Sequence, residues 1–315
     1  MAPPYGVISN LLKKRRVVPF LGAGASMIGR PPGVAWDVKA PDFLPSGLEL
    51  SHLLADEAEF PSSDEHDRGD LARVASYVAN VVGGRPYLRG RLREVLLAGA
   101  YRGGELHDFL ASEEMPGPLV IVVTNYDTLL EQAFQAAGRA YDLVVYPADR
   151  REIANAVLWW KHGDQEPKPV SPNELDIDLE RTTVIFKMHG TVHGTVASQS
   201  DEWDNFVITE EDYVEFLYRL TFNAAIPSIF YPYFRERSFL FLGYGLRDWN
   251  LRVLLKNLSK HLAGDRQLEG DELKSWAIQV HPSHLEERLW QRNNVEIFDC
   301  DLNEFVTRLR QRMKI

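Results

Sequence analysis

Glycine and polar side chains follow four apolar runs of this sequence, each of which has the length of a buried strand. In open α/β sheets, ligands bind at the carboxyl ends of the parallel strands. The residues after these runs are therefore the candidates for chemistry. They are Gly-Ala-Gly-Ala-Ser at 22–26, Thr-Asn-Tyr-Asp at 124–127, His-Gly at 189–190 and Gly-Tyr-Gly-Leu-Arg-Asp at 243–248.

The segment at 22–26 predicts a glycine-rich turn between a strand and a helix. Glycines let the backbone approach a pyrophosphate closely, and the free N–H groups at a helix start attract an anion. The dehydrogenase fingerprint would need a third glycine where this chain has Met27, and no Walker-type Gly-Lys-Ser/Thr follows. An ordinary tight turn explains the two glycines equally well.

Asn125, Asp127 and His189 are the side chains best suited to catalysis. A histidine titrates near neutral pH and can take a proton from a hydroxyl, although a lone histidine is more often a hydrogen-bonded structural residue. Asp127 can equally be a helix N-cap, an interpretation that leaves Asn125 unexplained. His193 is a weaker candidate, and Asp248 fits a helix cap after the last glycine turn.

The elements that must position these residues alternate between short apolar runs and helical patterns. Continuous apolar strands between helices indicate a parallel sheet that is covered on both faces. We predict an α/β fold, a doubly wound, mostly parallel Rossmann-like sheet with a helical insertion after the first strand. The predicted strands span 17–21, 119–123, 183–188, 239–242, 276–280 and 295–298.

Two stretches interrupt this alternation. Residues 31–117 carry several helical patterns, so we predict a mostly helical insertion in a core formed by 1–30 and 118–315. Residues 159–178 contain several prolines and predict an irregular segment, either a flap over the site or an oligomer contact. The aromatic segment 230–234 is a second candidate contact surface, although core packing is the commoner use of such residues.

Composition limits the class of protein. The chain has 315 residues, of which 45% are hydrophobic, and a single cysteine, Cys300. One cysteine can form neither an intrachain disulfide nor a four-thiolate zinc site, so we predict no metal. The net charge of −10 argues against nonspecific nucleic-acid binding. No apolar run is long enough for a membrane span and no signal-peptide pattern is present, so we expect a soluble cytoplasmic protein.

The order of the four segments resembles the sirtuin superfamily, and more closely the sirtuin-like domains of bacterial antiphage defence systems. Residues 206–213 are also similar to that branch. The resemblance implies NAD as substrate and three catalytic residues, Asn125, Asp127 and His189. It also implies a set of residues that bind NAD, namely Gly22, Ala23, Gly24, Ser26, Thr124, Gly243 and Tyr244.

The sequence departs from the sirtuin pattern in three places. Deacylating sirtuins carry a zinc module with four cysteines, which this chain cannot build. They also carry Asp-Phe-Arg after the first glycine turn, where this chain reads Arg-Pro-Pro-Gly-Val-Ala-Trp at 30–36, so no arginine contact carries over. Relatives often place a serine at the position of Gly245, and its absence removes one ligand hydrogen bond, about 1 kcal/mol.

From the resemblance we expect an NAD glycohydrolase that releases nicotinamide and ADP-ribose, acting as the NAD-depleting effector of an antiphage system. The alternatives are a non-catalytic subunit that senses NAD or ADP-ribose, and an NAD-dependent protein deacylase. The resemblance also implies a homo-oligomer and a partner protein such as a HerA-type ATPase.

Overall fold

The computed structural model of the chain describes residues 2–31, 33–148, 153, 155–194, 201–222, 224–245 and 274–314. Leu246, Arg247 and Asp248, the end of the fourth polar segment, lie outside these residues, and so does the predicted helix cap at Asp248.

Two sheets form in the described part of the chain. The strands are β1 Val17–Leu21, β2 Val120–Val123, β3 Asp142–Val145, β4 Val157–Trp160, β5 Lys168–Val170, β6 Val184–Lys187, β7 Gly190–Thr191, β8 Asn205–Phe206, β9 Ser238–Leu242, β10 Ser275–Gln279 and β11 Val295–Asp299. A nine-stranded sheet has the order β11-β10-β9-β1-β2-β6-β3-β4-β5, while β7 and β8 form an antiparallel pair.

The predicted α/β fold with a mostly parallel sheet is confirmed. All six predicted strands form, and each is parallel to its neighbours from β11 through to β3. The segment 159–178 is irregular over most of its length, as predicted, but β4 ends in it and β5 lies within it, and these two strands pair antiparallel at the sheet edge. A role for that segment as flap or oligomer contact stays a prediction.

Helices cover both faces of the large sheet. They are α1 Tyr5–Lys13, α2 Ala23–Ser26, α3 Gly47–Glu57, α4 Glu65–Arg68, α5 Leu71–Tyr77, α6 Gly84–Leu97, α7 Glu105–Ala111, α8 Leu129–Ala136, α9 Glu210–Thr221, α10 Phe230–Arg235, α11 His284–Gln291 and α12 Leu302–Met313, and a π-helical turn, Val78–Val82, follows α5. Within the described ranges, no helix is both long and apolar enough to cross a membrane.

Local sequence signals explain where several helices begin. Ser46, Thr209 and Ser283 each form a capping box with the acidic residue three positions later, which satisfies free N–H groups at the helix start. Asp301 caps α12 by accepting from the backbone N–H groups of Asn303 and Glu304. These caps fix the helices whose apolar faces then pack on the sheet.

The described residues form three core clusters. One, on one face of the sheet, contains residues of α1, α7, α8 and α12, and a second, on the opposite face, contains residues of α9, α10 and α11. Phe230, Tyr233 and Phe234 are buried in the second cluster, so these residues of the aromatic segment serve core packing. The third cluster joins α3, α5 and α6 to residues of β8. The domain boundaries at residues 31 and 117 stay a prediction.

Candidate active site

Two glycine turns, one after β1 and one after β9, pack directly against each other. The Gly24 N–H donates to the Gly243 carbonyl oxygen at 2.7 Å. Gly243 has φ +64°, and a Cβ there would lie 2.4 Å from the Ala25 nitrogen. Only glycine fits such a left-handed position against another backbone. β2 and β9 lie on opposite sides of β1 in the sheet, so this contact lies where the strand order reverses. Ligands of open α/β sheets bind at that position.

A hydrogen-bonded chain joins the end of β1 to the end of β2. Asn125 Nδ2 donates to the Gly22 carbonyl oxygen at 2.9 Å and to Ser26 Oγ at 2.7 Å. Ser26 Oγ in turn donates to Asp127 Oδ2 at 2.5 Å. The other carboxylate oxygen, Asp127 Oδ1, accepts from the Leu129 N–H at 3.0 Å. The predicted N-cap position was wrong by one residue, since Thr128 occupies it, but Asp127 still accepts from the first N–H of α8 while it binds Ser26.

The buried side chain of His189 follows β6, and its ring is enclosed by aromatic residues of α9. The ring centroid lies 5.6 Å from that of Tyr213 and 5.4 Å from that of Phe216, both edge to face. Gly190 has φ +89°, and a Cβ on it would lie 2.1 Å from the Asn205 carbonyl oxygen. The backbone after His189 can therefore turn only because residue 190 is glycine.

The segment 206–213 also contacts His189, through a backbone hydrogen bond. The Val207 N–H donates to the His189 carbonyl oxygen at 2.8 Å. Asp212 closes the capping box of α9 and forms an ion pair with Arg85 of α6 at 2.7 Å. These contacts hold α9, and with it Tyr213, against the histidine ring.

These polar residues line one cavity of about 280 Å³. The sequence-predicted residues on its wall are Ala23, Ser26, Thr124, Asn125, Asp127, His189 and Tyr244. Leu44, Leu50, Leu71 and Leu96, from the stretch between β1 and β2, form an apolar wall that the sequence analysis did not identify. Leu50, Leu71 and Leu96 lie on helices, but a helical pattern does not say which cavity a leucine lines, and Leu44 lies in the loop before α3. Tyr213 was also missed as a wall residue.

A second cavity, of about 660 Å³, adjoins the first and shares Ala23, Tyr244 and Gly245 with it. It extends past the carboxyl ends of β10 and β11 and includes Gly24 and Gly243 on its wall. Gly22 lines neither cavity and instead binds Asn125 through its carbonyl oxygen. The two cavities are therefore neighbours, and Asn125 and His189 line the smaller one.

Arg30 lines the second cavity, although no arginine contact with the ligand was predicted for this region. Its guanidinium donates to both carboxylate oxygens of Glu49, at 2.7 and 2.5 Å, and to the Val34 carbonyl oxygen. The Arg30 hydrogen bond is the main reason why the pKa of the Glu49 carboxyl lies well below its usual range. The charge of Arg30 is therefore largely balanced by Glu49.

His193, the weaker histidine candidate, lines a different cavity of about 740 Å³. Its ring stacks on Trp160 with centroids 5.2 Å apart, and burial lowers its pKa. Its backbone N–H donates to Asp204, which pairs with Arg93 at 2.7 Å. The structure does not bring His193 into the cavity that contains His189.

In the part of the chain that the structure describes, no cluster of three or more His, Cys, Asp or Glu side chains is arranged to hold a metal ion.

A match to a known protein family covers three of the four segments from which the site is built. A family model described as a SIR2-like domain matches residues 119–298, more than half of the chain. The match includes Asn125, Asp127, His189 and Gly243, and the glycine turn after β1 lies before it. No curated protein matches the chain significantly.

Proposed function

Because the chain belongs to the SIR2-like domain family, whose members bind NAD as a substrate, we propose that it is an NAD glycohydrolase. It would cleave the nicotinamide–ribose bond with water to give nicotinamide and ADP-ribose. One observation carries this proposal: Ser26, Asn125, Asp127 and His189 reach a single cavity from three separate strand ends. A few convergent polar groups in an otherwise apolar cavity are typical of a site that binds and acts on a small molecule.

The residues present fit NAD as a ligand. The smaller cavity has polar groups for the nicotinamide and its ribose, and four leucines form much of the rest of its wall. The larger cavity, reached past Ala23 and Tyr244, offers room for the adenosine half. The glycine turns lie where the two cavities meet. Their glycines have no side chains that would keep a pyrophosphate away from the backbone.

The orientation of the Asn125 amide suits the positioning of water. Asn125 contacts the carbonyl oxygen of Gly22, which can only accept, so the atom of Asn125 that faces it must be the NH₂ nitrogen. The second hydrogen of that NH₂ points to Ser26 Oγ. The amide oxygen is therefore left as the acceptor that can hold a water molecule beside the anomeric carbon. Asp127 fixes this arrangement because it accepts the hydroxyl hydrogen of Ser26.

His189 acts on the ribose in this mechanism. Cleavage of the nicotinamide–ribose bond develops positive charge on the sugar, as in glycoside hydrolysis. His189 would accept a hydrogen bond or a proton from a ribose hydroxyl and so stabilise that charge. The electron pair of the broken bond leaves with nicotinamide, while the attacking water forms the new C–O bond and releases a proton.

The two alternatives differ from this proposal in what they predict. A deacylase would need an acylated peptide, and the single cysteine of the chain excludes the four-thiolate zinc module of that branch. A sensing subunit would bind NAD or ADP-ribose without turnover.

The test is to incubate the purified chain with NAD and to separate the products by chromatography. The parent protein should release nicotinamide and ADP-ribose, and Asn125→Ala and His189→Ala should each reduce kcat by about 10² or more. Asn293→Ala and His284→Ala, which change exposed residues, are the matched controls and should keep parental turnover. Turnover that survives in both active-site variants would refute the assigned roles, and NAD binding without turnover would favour the sensing subunit.

We further propose that the chain depletes NAD in antiphage defence, as a homo-oligomer that acts with a partner such as a HerA-type ATPase. The support is the order of the four segments and the similarity of residues 206–213 to that branch. Light scattering on the purified chain tests the oligomer. NAD levels in infected cells, with the parent or with His189→Ala, test the defensive role.

A further inference from the structure

Lys187 is a fully buried lysine at the end of β6, two residues before His189. It is aligned with Val123 of β2 and Val145 of β3, both of which belong to the core on the α8 side of the sheet. An ammonium group in such surroundings is strongly unfavourable unless it is paired and hydrogen-bonded. Its presence in an apolar strand therefore calls for a specific set of partners.

Those partners belong to the turn that follows Asn125. Lys187 Nζ donates to the carbonyl oxygens of Tyr126, at 3.3 Å, and of Asp127. It also forms an ion pair with the buried Glu131 of α8 at 2.9 Å. One ammonium group thus binds the two peptide carbonyls that come directly after Asn125.

The turn is also tied to the segment after His189. The Tyr126 carbonyl oxygen accepts from the Val192 N–H at 2.9 Å, in addition to its contact with Lys187. Val123 and Lys187 are register partners in the β2–β6 pair. Asn125 and His189 therefore each lie two residues beyond this pair. Beyond Val123 and Lys187, these contacts keep the two segments aligned, as the β2–β6 hydrogen bonds do within the sheet.

We propose that Lys187 is a positioning residue that fixes the turn from Asn125 to Asp127 relative to His189, with Glu131 as its counterion. The inference rests on the proposed NAD hydrolysis for its kinetic consequence, but not for its structural one. Lys187 stays beneath the cavity and acts through the backbone of the turn. Misplacement of reacting groups by about 1 Å can lower a rate by about 10², so the turn must be held firmly.

A purely stabilising role makes a different prediction. A buried ion pair can often be replaced by apolar residues of similar size without loss of stability, whereas removal of one partner leaves an unpaired buried charge. Lys187→Met alone could therefore simply fail to fold. The double variant Lys187→Met/Glu131→Leu removes both charges and restores an apolar contact. It abolishes the hydrogen bonds to the two carbonyls while the core stays filled.

The experiment compares this double variant with Arg310→Met/Glu114→Leu, which removes an ion pair between α12 and the loop after α7. Thermal unfolding establishes that both are folded. For Lys187→Met/Glu131→Leu we expect kcat for NAD hydrolysis to fall by about 10², with a KM change of less than about threefold, since the larger cavity is untouched. The control should keep both constants.

Hydrogen–deuterium exchange supplies a readout that does not depend on turnover. The peptide that covers residues 124–129 should exchange at least tenfold faster in the Lys187→Met/Glu131→Leu variant, and peptides of β1 and β9 should be unchanged. A folded double variant with parental kcat and parental exchange in 124–129 would overturn the positioning role. Absence of turnover in the parent, with faster exchange in the variant, would refute the hydrolase and leave the positioning role standing.

Discussion

Ser26 donates its hydroxyl to Asp127 Oδ2 at 2.5 Å, although the two residues are 101 positions apart in the chain. The contact joins the turn after β1 to the turn after β2. Ser26 also accepts from Asn125, so its hydroxyl orients both a carboxylate and an amide. A small residue of the glycine turn therefore organises the polar end of the cavity.

Ser26→Ala should impair catalysis more than it impairs folding. A hydrogen bond to a charged group contributes about 1.5–3 kcal/mol, and its loss should lower the free energy of unfolding by up to that amount. The freed Asn125 amide should reduce kcat for NAD by about tenfold or more. Ser9→Ala is the control, because Ser9 is more buried than Ser26 and its hydroxyl donates, within the described part of the chain, to the Gly6 carbonyl oxygen alone. Equal effects of the two variants on kcat would contradict the role of Ser26.

Gly243→Ala should disturb the contact between the two glycine turns. Gly243 and Gly138 have nearly the same φ, +64° and +63°, but only Gly243 has backbone atoms within 2.5 Å of an added Cβ. Gly138→Ala should therefore lose only the backbone preference, about 1–2 kcal/mol of the free energy of unfolding, and keep its affinity for NAD. Gly243→Ala should lose more stability and also bind NAD more weakly. Urea unfolding and calorimetric titration with NAD measure the two effects.

The sheet was predictable because its central strands are continuous apolar runs, a pattern that needs no long-range information. β5 was not predictable in this way, since it has three residues, one of them a proline, and depends on pairing with β4. β4 is an apolar run of four residues, as long as β2 and β6, so its signal went unused. Side-chain contacts distant in the chain also hold β4 and the turn after it, because Asp142 accepts from Trp159 Nε1 and from the His162 N–H, both at 2.9 Å.

The site was predictable to the extent that it lies at strand ends. The sequence pointed to Asn125, Asp127 and His189, but not to the bond between Asn125 and Ser26, which depends on how two turns meet in space. Lys187 had a signal that went unused, namely a lysine inside the apolar run Ile-Phe-Lys-Met at 185–188. A charged residue in a buried strand indicates either a buried partner or a functional role.

His107 should make the stability of the protein depend on pH. It is buried in α7, and burial lowers the pKa of its imidazole, an effect that nearby Asp127 and Asp108 oppose. Its folded-state pKa lies below the unfolded value of 6.5, so the unfolded state binds the proton more readily. The stability present above pH 6.5 is therefore lost as the pH falls toward the folded-state pKa.

Urea unfolding between pH 7.5 and about 5.5 measures this dependence. His107→Gln, which cannot titrate, should show a smaller loss of the free energy of unfolding over that interval than the parent. His284→Gln changes a fully exposed side chain and should retain the parental slope. A parental slope in His107→Gln would show that other groups, such as the partly buried His193, account for the dependence.

Gly245→Ser should strengthen the binding of NAD. Among the residues that the structure describes, none has an atom within 4 Å of a Cβ at Gly245, and the residue lines both cavities, so these neighbours leave room for a serine there. The resemblance to sirtuins implies that a hydroxyl at this position helps to hold ADP-ribose. One added hydrogen bond of about 1 kcal/mol corresponds to a roughly fivefold lower Kd.

Gly245→Ala separates the hydroxyl from the added carbon. Titration calorimetry with NAD and with ADP-ribose should give a lower Kd for both ligands in the serine variant and a parental Kd in the alanine variant. Both variants should unfold at the parental temperature, because the added carbon contacts none of the described residues. An equal gain in the two variants would assign the effect to the loss of backbone freedom at residue 245. Weaker binding in the serine variant would mean that the ligand passes too close to this residue for a side chain.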